Sequence, residues 1–256
     1  MKKSSLLPAI LVFIVWAAVT LGGAKLMAGS EEVSLFELMS QHFAFQILGA
    51  CLVVILYVLY RKKVGQTGLK GGVSFKGWIF IYPLAMILFG LALCFSLGLH
   101  INDSFILILV NTLMVGFSEE LMFRGILLSE LSRRMSFWKA AIIMSLMFGA
   151  VHLFNAVVTG EVGMGLIQAV TATMSGFLFL GIRLKTNSIW PAMIVHGLWD
   201  FVILVNSSEN GVDMSENMVA MIFGLFLLIG PLVNFVTGII QCKNKGLVRQ
   251  YMEEQK

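Results

Sequence analysis

The sequence predicts an all-α, polytopic transmembrane helix bundle of about eight helices. Of its 256 residues, 58% are hydrophobic and only 12% are charged, and the mean hydropathy is +0.90. A soluble fold of this length cannot hide so much apolar surface. The composition therefore excludes a soluble enzyme, a disordered chain and a nucleic-acid-binding domain. The composition instead indicates a protein that is embedded in a lipid bilayer.

Each predicted helix is an apolar stretch of about 20 residues, the length that crosses a hydrocarbon layer. Backbone amides cannot stay unpaired in lipid, and the stretches do not alternate every two residues as barrel strands do. They are therefore helices. The predicted spans are roughly 6–28, 42–60, 77–98, 105–123, 138–156, 164–184, 188–206 and 217–240.

The first span begins like a signal peptide, with Lys2 and Lys3 ahead of an apolar run. That run exceeds the usual signal core, so we expect an uncleaved first helix. No internal repeat interrupts the pattern, and residues 1–256 are predicted to form a single integral membrane domain. The cysteines form no CxxC pair, which predicts free thiols with two of the three in apolar spans.

Charge in the loops predicts the orientation of the bundle. If the N-terminus is cytoplasmic and the spans alternate, the basic residues fall inside and the acidic ones outside, with Lys25 as the exception. The predicted inside residues are Lys2, Lys3, Arg61, Lys62, Lys63, Lys70, Lys76, Arg133, Arg134, Lys139, Arg183, Lys185, Lys243, Lys245, Arg249 and Lys256. The predicted outside residues are Glu31, Glu32, Glu37, Asp103, Glu161, Glu209, Asp213 and Glu216. Both termini are therefore expected in the cytoplasm.

A few ionisable residues remain inside the predicted spans, where each costs several kcal/mol unless it faces a bundle interior or a wet cavity. They are Glu119, Glu120, Arg124, His152, His196 and Asp200. Glu120 and Arg124 are spaced i, i+4 on one helical face, and Glu119 points about 100° away. The pairs Phe148–His152 and His196–Asp200 have the same i, i+4 spacing.

Each of these features alone has a structural interpretation. Glu120–Arg124 is an ordinary ion pair, His152 a satisfied interior histidine, Phe148 core packing, and His196–Asp200 an interhelical clamp. Together, three helices that otherwise hold almost no charge each supply an acid–base group, which favours a functional site. The sequence has no rhomboid-type GxSG, no HExxH zinc motif and no GxGD motif. Glutamate-activated water attacking an amide is the chemistry that remains.

The strings EELMFR, FGAVH and HGLWD, in that order on successive spans, resemble the motifs EExxxR, FxxxH and HxxxN/D of the CPBP family. That family contains type II CAAX prenyl endopeptidases and the Abi group of bacteriocin-processing and immunity proteins. The resemblance implies a glutamic intramembrane endopeptidase without metal, with a catalytic core over 105–205.

Carried over by position, the resemblance implies that Glu119 activates water and His152 helps to bind it. His196 and Asp200 would form the oxyanion site, with Glu120, Arg124 and Phe148 in support. The prenyl endopeptidases have Asn where this chain has Asp200. A protonated Asp200 would donate to the oxyanion itself, and an ionised one would orient His196.

Counting 1.5 Å per residue along the predicted spans places Glu119 and His196 in the cytoplasmic half of the membrane. The same count places His152 about 10 Å nearer the outer side. A tilted or interfacial helix would reconcile the two depths.

Three functions are open on the sequence. The first is an intramembrane endopeptidase that cuts a peptide or small membrane protein from the cytoplasmic side. The second is a non-catalytic immunity or regulatory protein, with a sensor kinase or another membrane protein as partner. The third is a proton-coupled transporter, for which the expected inverted repeats are missing. Short loops suggest a bacterial cell membrane, where processing of bacteriocins or signalling peptides is expected rather than CAAX removal.

Overall fold

The computed structural model describes residues 6–30, 32–98, 100–207 and 218–255. Within them the chain forms helices and no strands, which confirms the predicted all-α bundle. In chain order, α1 to α10 are Leu7–Ala28, Leu35–Ser40, Phe45–Tyr60, Trp78–Ser96, Asp103–Ser132, Phe137–Thr159, Val162–Thr186, Trp190–Val205, Met218–Cys242 and Lys245–Glu254.

Eight of these helices correspond to the eight predicted spans. Six are long and apolar enough to cross a membrane, and α3 and α8 are apolar but have only 16 residues each. The sequence prediction missed α2 and α10. Both are short helices with polar N-caps, because the Ser34 hydroxyl accepts from the Glu37 amide and the Asn244 side chain accepts from Gly246 and Leu247.

The largest departure from the predicted spans is α5, which was expected to end near residue 123. The helix continues to Ser132, for 30 residues in all. Its segment Leu121–Leu127 is π-helical, and every residue of that segment is buried. The mixed sequence after Glu120 looked like a helix end, but these residues lie in the interior, where Arg124 has partners.

Consecutive helices run antiparallel, so the loops gather at two ends of the bundle. The basic end holds loops 61–77 and 133–136 together with α10. The acidic end, opposite, holds α2 and the turn at Gly160, where the Val33 amide donates to the Val158 carbonyl. Predicted topology residues Lys2, Lys3, Glu31, Glu209, Asp213, Glu216 and Lys256 lie outside the described residues.

Polar contacts close the basic end. Glu130 lies in contact with Lys63 and 2.9 Å from Arg134. Gln255 accepts a hydrogen bond from Ser129 at 2.6 Å and so ties the end of the chain to α5. Arg183, one of the predicted inside residues, lies at the basic end but is part of a helix. It is fully buried within α7, where its Nη1 donates to Asn187 at 2.9 Å.

The cysteines are also placed more deeply than expected. All three are free and buried, in α3, α4 and at the end of α9, so three rather than two lie in apolar helices.

Candidate active site

The two neighbouring glutamates of α5 face different surroundings. Glu120 is fully buried, and its Oε1 accepts a hydrogen bond from Nη1 of Arg124 at 2.7 Å. The Glu119 side chain keeps 13% exposure and lines a cavity. Adjacent helical residues point about 100° apart, which is why one carboxyl group enters the core and the other reaches the cavity.

Arg124 is a buried cation with several partners besides Glu120. Its Nη2 donates to the Gly176 carbonyl of α7 at 3.2 Å. Its guanidinium carbon lies 4.0 Å from the centroid of the Phe148 ring and 5.2 Å from that of Phe179. These contacts offset part of the cost of removing the charge from water. The ion pair therefore forms the floor of the site.

His196 of α8 connects this floor to the cavity. Its Nδ1 lies 2.9 Å from Glu120 Oε1, a contact in which the ring N–H donates to the carboxylate. Its Nε2 lies 3.4 Å from Asp200 Oδ2 and 3.8 Å from Glu119 Oε2. The Phe179 ring stacks on the imidazole at 4.6 Å between centroids. Three carboxyl groups therefore surround one buried imidazole.

His152 of α6 approaches Glu119 from another side. Its Nδ1 lies 2.8 Å from the Phe148 carbonyl oxygen, so the ring N–H donates there and Nε2 is the atom left to face the cavity. That Nε2 lies 3.9 Å from Glu119 Oε2. Phe148 packs edge-on against both histidines, at 4.9 Å from His152 and 5.8 Å from His196. The predicted site residues are thus brought together from three helices.

Close packing of α5 against α8 sets the distance between the glutamates and His196. A Cβ added to Gly116 would lie 2.5 Å from the Met193 carbonyl oxygen, and one added to Gly197 would lie 2.8 Å from Leu113 Cα. Only glycine lets the two backbones approach this closely. Gly197 belongs to the HGLWD string, so the motif supplies both the imidazole and the contact that positions it.

The cavity has a volume of about 510 Å³ and carries Glu119, His152, His196 and Asp200 on its wall. Much of the rest of its lining comes from the parts of the helices nearer the acidic end, including Leu38 of α2 and Met164 of α7. The cavity therefore extends from the site toward the acidic end, whereas the basic end is closed by its loops and α10.

One side of the cavity lies between α7 and α9. These helices meet in the half nearer the basic end, where Asn234 donates to Ser175 at 3.1 Å. Toward the acidic end, α9 contains Pro231 and instead packs on α4, where the Tyr82 hydroxyl donates to the Phe226 carbonyl. Ile167 of α7 is exposed and Pro231 of α9 is partly exposed, and both line the cavity. Pro231 has no backbone N–H to donate within α9 at this level.

The observed helices place Glu119 and His152 at similar distances from the basic end. Glu119 is about 20 Å from the basic end of α5, and His152 is about 22 Å from the start of α6, at 1.5 Å per residue. The first turn of α8 is covered by loop 61–77, since the Ile189 amide donates to Gly68 and the Trp190 indole to Leu69. His196 is about 9 Å from the start of α8, and the depth of the site in a bilayer stays a prediction.

Sequence reasoning missed three contributors to the site. Phe179 stacks on His196, Gly176 accepts from Arg124, and Trp16 of α1 donates from its indole N–H to Ser118 at 2.7 Å. None of the three carries a charge, so nothing distinguished them from other apolar positions in their spans. Gly176 was recognisable only as a small residue in a crowded helix.

No group of three or more His, Cys, Asp or Glu side chains in the described part of the chain is arranged to hold a metal ion. The absence of a cofactor stays a prediction.

The fold and site define a polytopic membrane protein with an acid–histidine site in its interior. Residues 101–202 match the model of the Rce1-like type II CAAX prenyl endopeptidases, so this segment of the chain is similar to that family. The match covers α5 to α8 almost completely and includes every predicted site residue, so the predicted resemblance is confirmed. The family is one of endopeptidases. A search of the curated proteins finds no match to the chain.

Proposed function

We propose that the chain is an intramembrane endopeptidase in which Glu119 activates water to hydrolyse a peptide bond. One observation carries the proposal. Glu119 Oε2 is buried, has no hydrogen-bonding partner among the described residues, and faces Nε2 atoms of two histidines at 3.8 and 3.9 Å. A water molecule held among these three atoms would have an acceptor for its proton and groups to orient it.

In the first step, Glu119 takes a proton from water as the water oxygen bonds to the peptide carbonyl carbon. The carbonyl oxygen becomes an oxyanion, stabilised by donors at the site. When the tetrahedral intermediate collapses, the C–N bond breaks and the proton on Glu119 passes to the leaving nitrogen. The products are one new carboxyl terminus and one new amino terminus, with Glu119 returned to its starting form.

The oxyanion donors in this proposal are His196 and Asp200. His196 already donates from Nδ1 to Glu120, so an imidazolium would have its Nε2–H left for the oxyanion. The side chain of Asp200 is 32% exposed and lies one turn further along α8. A protonated Asp200 would donate directly, and an ionised one would hold His196 in its charged form.

Glu120, Arg124 and Phe148 act as positioning residues. Glu120 fixes the rotation of the His196 ring, Arg124 balances the charge of Glu120, and the Phe148 ring covers the guanidinium. This packing excludes water from the side of the site that faces the bundle core, which strengthens the electrostatic contacts there.

A peptide or a small membrane protein is the substrate class that suits the cavity. Its wall is largely apolar, it extends from the catalytic group toward the acidic end, and its lining includes the exposed side chain of Ile167 on α7. We infer a bacterial cell membrane with both termini cytoplasmic, from the basic loops at one end. The cavity would then take substrate from the outer half of the bilayer, as suits a bacteriocin or signalling peptide.

The experiment is a search for cleavage in proteoliposomes. Purified wild-type protein and Glu119→Gln are incubated with a library of apolar peptides, and new termini are identified by mass spectrometry. Glu161→Gln, a change at an exposed glutamate of the acidic end, is the matched control. We expect wild type and Glu161→Gln to produce the same new termini and Glu119→Gln to produce none.

If all three proteins leave the library intact, or cleave it equally, the endopeptidase proposal fails. Binding of a peptide without cleavage would favour the alternative of an immunity or regulatory protein of the same fold.

A further inference from the structure

A buried amide without a full set of partners lies on the cavity wall outside the catalytic group. Gln46 of α3 is only 8% exposed, yet its Oε1 has no hydrogen-bonding partner among the described residues. The residue lines the cavity that contains Glu119. A buried polar atom left unpaired is costly, so an interior that keeps one has something for it to bind.

A second polar group of the same kind lies on the neighbouring helix. Thr20 of α1 also lines the cavity, and its Oγ1 is buried without a partner in the described chain. Thr20 lies in the π-helical segment Ala18–Gly22, an irregularity that is frequent at functional sites. Gly23 brings α1 close to α3 at this level, because a Cβ placed there would lie 2.4 Å from Gln46 Cβ.

The position of Thr20 relative to the catalytic group follows from Trp16. Trp16 donates to Ser118, the residue before Glu119, and Thr20 comes four residues later along α1 toward the acidic end. Four residues of helix rise about 6 Å. An extended peptide rises about 3.3 Å per residue. Thr20 therefore lies about two substrate residues from the level of Glu119.

We propose that Thr20 and Gln46 form a subsite for the backbone of an extended substrate peptide, two or three residues from the bond that is cut. Gln46 Oε1 accepts an N–H of the substrate, and the Thr20 hydroxyl donates to a substrate carbonyl. A lipid chain has neither group. The inference rests on the proposed endopeptidase function and deepens it. Both residues lie outside the segment 101–202 that matches the family model.

The same cavity provides matched controls whose polar groups are already paired. Thr171 lines the cavity, but its hydroxyl donates to the Ile167 carbonyl of its own helix at 2.9 Å. Gln168 also lines it, and its Oε1 accepts from Asn155 at 2.9 Å. The hydrogen-bonding groups of these two side chains already have partners within the protein, so they do not need a substrate.

The test uses a peptide that wild type cleaves in proteoliposomes and Glu119→Gln does not. Each amide near the cleaved bond, except that bond itself, is replaced in turn by an ester, which removes one N–H donor. We expect one ester, two or three residues from the cleaved bond, to lower wild-type kcat/KM by roughly fivefold, the size of one net hydrogen bond. Gln46→Met should lower kcat/KM for the amide peptide by a similar factor and be insensitive to that ester.

Thr20→Val should also lower kcat/KM, and Thr171→Val should leave it unchanged. If wild type cleaves every ester peptide with the kcat/KM of the amide peptide, the subsite proposal is wrong, whatever the variants do. So does a Gln46→Met protein that keeps the wild-type rate, or one that remains sensitive to the critical ester. If no peptide is cleaved in a Glu119-dependent manner, the endopeptidase proposal fails and the subsite fails with it.

Discussion

Replacing each of the two adjacent glutamates by glutamine separates the chemistry of the site from its stability. Glu120→Gln leaves the Arg124 guanidinium, which is fully buried, without its counter-charge. The Gly176 carbonyl and two aromatic rings remain as partners. Breaking a buried ion pair in this way costs about 3–5 kcal/mol. We take the lower end, about 3 kcal/mol, because the new amide oxygen can still accept from Arg124 and His196.

Glu119→Gln is the matched change one residue earlier. Glu119 makes no hydrogen bond through Oε2 with any described residue, and glutamine keeps its shape. The unfolding free energy should stay within about 0.5 kcal/mol of wild type. Peptide cleavage should fall by about 10²-fold or more, the usual loss when a general base is removed.

The measurement is unfolding in mixed detergent micelles, followed by helical circular dichroism against the mole fraction of dodecyl sulfate. The double variant Glu120→Gln/Arg124→Met is the control, because it removes both charges and should recover most of the lost stability. The reasoning is refuted if Glu120→Gln unfolds at the wild-type free energy, or if the double variant is less stable than Glu120→Gln.

Four further outcomes are expected. Exhaustive chelation should leave the cleavage rate unchanged, and recovery of a lost rate by zinc alone would point to metal-bound water instead. A cysteine at Ser30 should react with an impermeant maleimide in whole cells and one at Lys70 should not; the reverse result contradicts the orientation. Gly197→Ala should push α8 away from α5 and lower kcat by about a hundredfold while the protein still accumulates. Asp200→Asn should keep the wild-type rate at acid and neutral pH, because an amide donates from the same place, and a hundredfold drop would instead assign Asp200 to holding His196.

The long helices were predictable because lipid permits few alternatives. A run of about 20 apolar residues in a membrane must be helical, and seven of the eight predicted runs lie close to their observed bounds. The two short helices were not predictable in this way. Both α2 and α10 lie at the ends of the bundle, where length and hydropathy carry no signal and only a capping residue marks the start.

The error in α5 has a different origin. Hydropathy falls after Glu120 because Arg124 and Glu130 are counted as costly, and the predicted span therefore ended near residue 123. In the folded chain both are buried with partners from other elements, so the cost is largely offset. A single-span calculation cannot include partners that are distant in sequence, so it ended the span too early.

The site itself was predictable only in its charged members. Each i, i+4 pair fixes which side chains share a helical face, but not what lies opposite that face. The ring of Phe179 and the glycine contact of α5 with α8 come from the packing between helices.

That packing makes the neighbouring glutamates unlike each other. Glu120 is held through Oε1 by Arg124 and His196 on the packed side of the helix, whereas Glu119 Oε2 has imidazoles at nearly 4 Å and a cavity in front of it. A carboxyl group already bound on the core side has little freedom to accept a proton from water, and one facing a cavity is free to do so. The division of roles between two adjacent residues thus follows from the helix geometry and from which side of α5 is packed.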